Sequence, residues 1–323
     1  MHRLVLACAG SLLLYGLLFA FVLDRPLTLG ALRARIEANL ARGAAIEGRK
    51  LVIIAGSNGP YSHRCELIEA RIGIPCVNAG VAVGVGLDYL FARWQALLHP
   101  GDIVYLPLEE AQYGRRRAMA ELGPDASIML RHDRGTLAGM PWHRQLAALF
   151  AGDLRGAVMS VIETALVRDG FQDPRAAATG TFNAWGDHVG HTAAIGAANQ
   201  PTLATFTPFH PTGAEVVSGY GTAEVARFLD WARQHGVRTI GGLPTGFADS
   251  PIRPGALAAI EGLYRTHGAA FLTLPNLSRY PRAAFFDTAD HLNEVAQIRH
   301  SEAVAKRLAE MLADRSMLTA QMH

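Results

Sequence analysis

Two short stretches carry the residue types of nucleophilic acyl chemistry. The first is Ala55-Gly56-Ser57-Asn58-Gly59, which closes the β-branched run Leu51-Val52-Ile53-Ile54. In a parallel sheet, ligands bind at the carboxyl ends of strands, where the start of a helix presents unpaired N–H groups. Ser57 at such a turn has two readings, a nucleophile or, with Asn58, an ordinary helix cap. The second stretch is Phe285-Phe286-Asp287-Thr288-Ala289-Asp290-His291-Leu292-Asn293. A serine hydroxyl is a poor nucleophile until a base takes its proton, and a histidine does so best when a carboxylate holds its tautomer. His291 with Asp287 or Asp290 supplies both parts; the alternative is a helix cap at Asp290 beside a surface histidine. Ser57 does not lie in a G-x-S-x-G elbow, so the α/β-hydrolase topology is not indicated.

Other polar groupings carry weaker signals. Asp187, His188 and His191 have the types of metal ligands, but two histidines three apart without a placed acidic partner read as surface residues. Gly84-Val85-Gly86 lacks the third glycine of a dinucleotide fingerprint. Arg115-Arg116-Arg117 reads as a solvated loop or a contact for an anionic group. Trp142 and Trp185 suit stacking on sugar rings or core packing. Cys65 and Cys76 either pair in an oxidising compartment or are simply buried.

The elements that must position these residues follow from periodicity. Strands are expected at residues 51–54, 74–78, 102–108, 237–243 and 270–274. Helices are expected at 222–235, 255–267 and 294–312. This alternation predicts an α/β fold with a parallel sheet covered on both faces. Residues 115–212 break the rhythm and read as a helical or irregular insertion. At the amino end, residues 4–23 form an uncharged run long enough to cross a bilayer as a helix. The run ends without a small-x-small site, which favours an anchor over a cleaved signal peptide. Arg25, Arg33, Arg35 and Arg42 follow it, which by charge alone keeps the body inside the cell. An enzyme-sized body behind a single N-terminal span argues for export, and the expectation is a periplasmic domain. Residues 27–48 have helical spacing and are expected to form a stalk, leaving 50–315 as one domain.

Composition bounds the function. The chain has 323 residues, of which 50% are hydrophobic and 18% charged, which excludes a disordered chain. The net charge is +2 and lysine occurs only at Lys50 and Lys306, so there is no basic stripe and no nucleic-acid partner is expected. Three cysteines exclude a disulfide scaffold and a cysteine-rich zinc module.

Gly56-Ser57-Asn58 after the first strand, Asn78-Ala79-Gly80 after the second, and Asp287 to His291 before the last helix resemble the SGNH (GDSL-type) hydrolase superfamily. The resemblance covers about residues 50–112 and 237–312, and is nearest to membrane-anchored members associated with exopolysaccharide synthesis. It implies a flavodoxin-like three-layer α/β/α fold with no metal or cofactor. It also implies Ser57 as nucleophile, His291 as general base, Asp287 as its orienting carboxylate, and the N–H groups of Ser57 and Gly80 as oxyanion donors. The implied activity is an O-acyl (acetyl) esterase or O-acyltransferase on an exopolysaccharide such as cellulose. A membrane acyltransferase and cellulose-synthase subunits are implied as partners. The alternative is an SGNH-fold scaffold or glycan-binding subunit without catalysis. Two departures stand out. Asp287 and His291 are four apart where the family spacing is three. Leu106-Pro107-Leu108-Glu109-Glu110 replaces the asparagine-bearing third block, leaving one oxyanion donor to Asn58, Asn78 or Asn183, since an ionised Glu109 cannot donate.

Overall fold

The computed structural model describes residues 2–21, 27–149, 151 and 181–313. Its centre is a parallel five-stranded sheet of β1 (Leu51–Ile53), β2 (Cys76–Asn78), β3 (Ile103–Leu106), β4 (Arg238–Gly242) and β5 (Ala270–Leu272), in the order β2-β1-β3-β4-β5. Val52 is in register with Val77 on one side and Val104 on the other. The order changes direction at β1 and β3, which opens a crevice at their carboxyl ends. All five strands fall where hydrophobic patterning places them.

The helices named below are α1 (His2–Phe21), α2 (Leu27–Ala45), α3 (Asn58–Ser62), α4 (Cys65–Ile72), α5 (Leu87–Gln95), α6 (Glu110–Gly114), α7 (Tyr220–Gln234), α8 (Pro254–Thr266) and α9 (Glu294–Ala313). The strands are near-continuous apolar runs because both faces of the sheet are covered. Leu51, Ile53, Ile103, Tyr105 and Ile240 pack against Ile68 of α4 and Val304, Leu308 and Met311 of α9. Side-chain alternation sends Val52 and Val104 to the opposite face. There α7 and α8 lie on β4 and β5, and α5 joins α7 through a Phe91–Phe228 stack at 4.3 Å. Cys65 and Cys76 form a disulfide that ties the start of α4 to the start of β2.

At the opposite end of β1 from the crevice, Lys50 and Asp102 form a fully buried ion pair, Nζ to Oδ2 at 2.8 Å. Asp102 also accepts the N–H groups of Lys50 (2.9 Å) and His99 (2.8 Å). Removing one partner of such a pair strands the other charge in the core. Asp102→Ala is therefore expected to lower the unfolding free energy by about 3–5 kcal/mol, read from denaturant midpoints. A loss below about 1 kcal/mol would show that Lys50 finds another partner or water.

Two compact units divide the described chain. One comprises residues 1–35 and 121–174, and the other 36–120 and 175–323. In the first, Tyr15 of α1 donates to the Leu149 carbonyl at 2.8 Å, and buried Arg144 pairs with Asp125. The apolar run at 4–23 falls largely within α1. Among the described residues no helix is long and apolar enough to cross a membrane, so the fold does not support the expected span.

The second unit corrects the expectation of a stalk. Ile36, Asn39 and Leu40 of α2 are buried, and Gly43 lies so close to Trp94 that a Cβ would come within 2.5 Å of its ring. Arg42 donates to the Cys76 carbonyl at 3.0 Å, and Glu37 pairs with Arg93. Ile36, Leu40 and Gly43 fall at i, i+4 and i+7, a stripe that helical periodicity turns to one side and that the domain covers. The insertion also returns to the core: β2 donates a backbone bond through Asn78 N–H to the Trp185 carbonyl at 2.8 Å. Within it, residues 152–180 lie outside the described residues.

Candidate active site

Ser57 sits where β1 ends and is the residue preceding α3. Its side chain makes no capping bond to that helix, so the cap reading of Ser57 does not hold. The hydroxyl is half-buried and donates instead to Glu109 Oε1, at 3.5 Å. The N–H of Asn58 reaches the same carboxylate oxygen at 3.2 Å.

The second half of the site is a closed turn. Phe285 and Leu292 form an antiparallel bridge, Phe286 N–H donates to the His291 carbonyl at 2.8 Å, and Asn293 N–H donates to the Ala284 carbonyl at 2.7 Å. Phe285, Phe286 and Leu292 are buried and anchor the turn, while Asn293 caps α9 through the N–H of Ala296. The tips of the turn then face each other: His291 Nδ1 lies 2.6 Å from Asp287 Oδ1. The four-residue spacing suits this turn, and it resolves the choice between the two aspartates. Asp290 makes no hydrogen bond to His291, and its main-chain oxygen accepts the hydroxyls of Ser62 and Thr245, each at 2.9 Å.

The two halves meet through Tyr61, one helical turn after Ser57. Its ring stacks on His291 at 4.0 Å and 9°, and its other face stacks on His188 at 4.1 Å. Gln297 Nε2 donates to the Pro60 carbonyl at 2.7 Å, clamping α9 to α3. Ser57 and His291 are thus held on one short helix and against it, without a hydrogen bond between them.

The expected oxyanion donors fare unevenly. Gly80 packs on Gly59 and Pro60 so tightly that a Cβ would come within 2.6 Å of Pro60, which accounts for the glycine. Its N–H, however, turns to Asn78 Oδ1 at 3.3 Å. Asn78 is fully buried, and its amide donates to the carbonyls of Gly59 and His63 and to Asp187, at 3.0–3.1 Å. It holds α3 in place and has no N–H left for a substrate, which corrects its assignment to the oxyanion hole. Asn183 likewise donates to Asp187 at 3.2 Å. The Asn58 side chain donates to the Pro107 carbonyl at 2.8 Å, so only its main-chain N–H faces the site.

The remaining sequence candidates are structural. Asp187 is buried and accepts the N–H groups of Cys65 (2.8 Å) and Glu66 (3.3 Å), capping α4. His188 and His191 touch through their Nδ1 atoms at 3.1 Å, and burial lowers His191 to about 4. Among the described residues no cluster of three metal-ligating side chains occurs. Trp185 donates to Glu69 at 2.9 Å beneath Arg42, while Trp142, in the other unit, is 75% exposed.

A cleft of about 150 Å³ opens beside the site, lined by Glu109, Asp290, Phe206, Phe209 and Phe247. On its wall Glu110 bridges Arg279 (2.7 Å) and His210 (2.8 Å). Burial pushes Glu109 up to about 7, against the opposing pull of the Asn58 N–H and the Arg115 charge. Burial also pushes Asp290 up to about 8, with a further push from Glu109. Tyr61 did not stand out in the sequence, and Glu109 entered it only as a carboxylate unable to donate: each owes its place to contacts across long stretches of chain.

The chain matches no protein-family model, no curated protein and no solved structure.

Proposed function

We propose that this protein is an SGNH-type serine hydrolase with a flavodoxin-like three-layer fold, acting as an O-acyl esterase or O-acyltransferase. The strand order 2-1-3-4-5 supports the fold assignment. The observation that carries the function is the Asp287–His291 contact at 2.6 Å, stacked on Tyr61 one turn from an uncapped Ser57. With Nδ1 engaged by Asp287, Nε2 of His291 is the nitrogen left to take a proton. Ser57 Oγ attacks the acyl carbon as its proton passes to His291, and the alkoxide of the tetrahedral intermediate forms beside Ser57 at the start of α3. Collapse expels the alcohol, which takes the proton back from His291. Water or a sugar hydroxyl then receives the acyl group by the reverse sequence. Catalytic hydrogen bonds commonly tighten only with substrate bound, which accommodates the open Ser57–His291 pair.

An acylated exopolysaccharide such as cellulose is the proposed substrate. The aromatic wall of the cleft supports a sugar ring there. Location on the periplasmic side of a bacterial inner membrane belongs to the same proposal. The Cys65–Cys76 disulfide favours an oxidising compartment, and the exposure of Leu4, Leu6, Leu12, Leu13 and Leu14 favours an apolar environment for α1. A membrane acyltransferase and cellulose-synthase subunits are the proposed partners.

A second reading, a non-catalytic scaffold, draws on the absence of a Ser57–His291 bond and on the Glu109 carboxyl resting against Ser57 and Asn58. Acetate release by the full-length protein from aryl acetates and acetylated glucan oligosaccharides separates the two. The hydrolase reading predicts release, or acetyl transfer to an added oligosaccharide. No turnover of either acetate would favour the scaffold.

A further inference from the structure

The triad accounts for the nucleophile and the base but leaves the oxyanion short of donors. Asn78 is spent on α3 and Gly80 N–H is turned to Asn78. The group that does reach this place is the Glu109 carboxyl. It lies against Gly56, where a Cβ would come within 2.3 Å of Oε1. Its main-chain N–H is fixed by Gln112 at 3.0 Å. Its two oxygens differ. Oε1 is the acceptor for the Asn58 N–H and the Ser57 hydroxyl. Oε2 is engaged by neither of these groups, the Ser57 N–H also lies against the carboxyl, and Glu109 borders the open cleft.

We propose that Glu109 is a catalytic residue in its neutral acid form: it carries its proton on Oε2 and donates it as a hydrogen bond to the acyl oxygen. This rests on the serine-hydrolase reading. An ionised Glu109 would place a negative charge beside the position where the oxyanion develops, and would work against the reaction. A neutral carboxyl keeps Oε1 as acceptor and offers Oε2 as the missing donor, with no net change in bonding through the cycle. A carboxylic acid held neutral at an oxyanion site has a chemical precedent in ketosteroid isomerase. Arg115 favours the ionised form of Glu109 and Asp290 faces it as a second carboxyl; Asp290 in turn interacts with His291, Arg279 and Glu110, and Glu110, His210 and Arg279 line the same cleft. Burial outweighs the favourable contacts and holds the acid up to about 7, so the donor is present below that pH and lost as pH rises through it.

Full-length wild type, Glu109→Gln, Glu109→Ala and Ser57→Ala are compared on an aryl acetate from pH 5 to 9, with infrared difference spectra of the carboxylic-acid C=O stretch over the same range. Wild-type kcat is expected to fall above about pH 7. Glu109→Gln retains an N–H donor and should stay within about tenfold of the wild-type maximum with that alkaline fall removed. Glu109→Ala should lose about 10²- to 10³-fold in kcat at pH 5 to 6 with KM little changed, the gap closing as pH rises past about 7. The C=O band titrating near pH 7 should vanish in Glu109→Gln. If Glu109→Ala fails to fold, the Glu109→Gln profile and the band decide. Activity in Glu109→Ala equal to wild type at pH 5 to 6 overturns the inference. So does an inactive Glu109→Gln combined with a wild-type rate that rises through pH 7, the pattern of a general base. Turnover that survives Ser57→Ala, or no turnover at all, overturns the hydrolase reading and this inference with it. Ser57-dependent turnover indifferent to Glu109 overturns the inference alone.

Discussion

Ser57→Ala is expected to reduce kcat for ester cleavage by about 10⁴- to 10⁶-fold, with KM changed by no more than a few-fold. Removing a nucleophile that acts as one unit with its base forfeits the covalent route altogether, and what survives is the contribution of binding and backbone donors. The fold should not suffer. Ser57 is half-buried, makes no capping bond to α3, and contributes only a contact at 3.5 Å to Glu109. An unchanged melting temperature alongside the lost activity would separate chemistry from stability. A loss below about tenfold would place the nucleophile elsewhere.

Asp287→Asn should cost about 10⁴-fold in kcat. The Asp287 carboxylate accepts from His291 Nδ1 at 2.6 Å, and it is 32% exposed while His291 is 12% exposed. An amide in its place would present an N–H to the ring and favour the tautomer with its proton on Nε2, the nitrogen that must accept from serine. The turn that carries both residues is fixed by Phe285, Phe286 and Leu292, not by the Asp287 side chain, so the geometry should survive the change. Asp290→Asn is the comparison that gives the result meaning. Asp290 does not contact His291 Nδ1, and its substitution should cost far less than that of Asp287. Equal losses at both positions would mean that the two carboxyls act as one group.

Much of the framework was legible because it obeys short-range rules. Five β-branched runs separated by helical patterns produced a parallel sheet with each strand near its expected place, since buried parallel strands cannot hide their apolar continuity. Asp287 and His291 lie four residues apart and could be paired by proximity, although the choice against Asp290 needed the Phe285–Leu292 bridge. The features that escaped depend on contacts distant in sequence. Glu109 reaches Ser57 across 52 residues, and its protonation depends on burial that no local pattern reveals. Asn78 had the right type for an oxyanion donor, but its amide is consumed by Gly59, His63 and Asp187. The Ile36, Leu40 and Gly43 stripe was visible as periodicity, yet periodicity names an apolar face without naming its cover. Trp185 illustrates the same limit: its type suits a sugar platform, but Glu69 and Arg42 occupy its nitrogen and its ring face.

The central claim is that Ser57 is a nucleophile activated by His291. The most direct test is intact-mass and peptide mass spectrometry of the full-length protein after treatment with a fluorophosphonate. One adduct on Ser57, absent in Ser57→Ala and formed far more slowly in His291→Ala, is the predicted result. No adduct on the folded protein, or an adduct on a different residue, would contradict it.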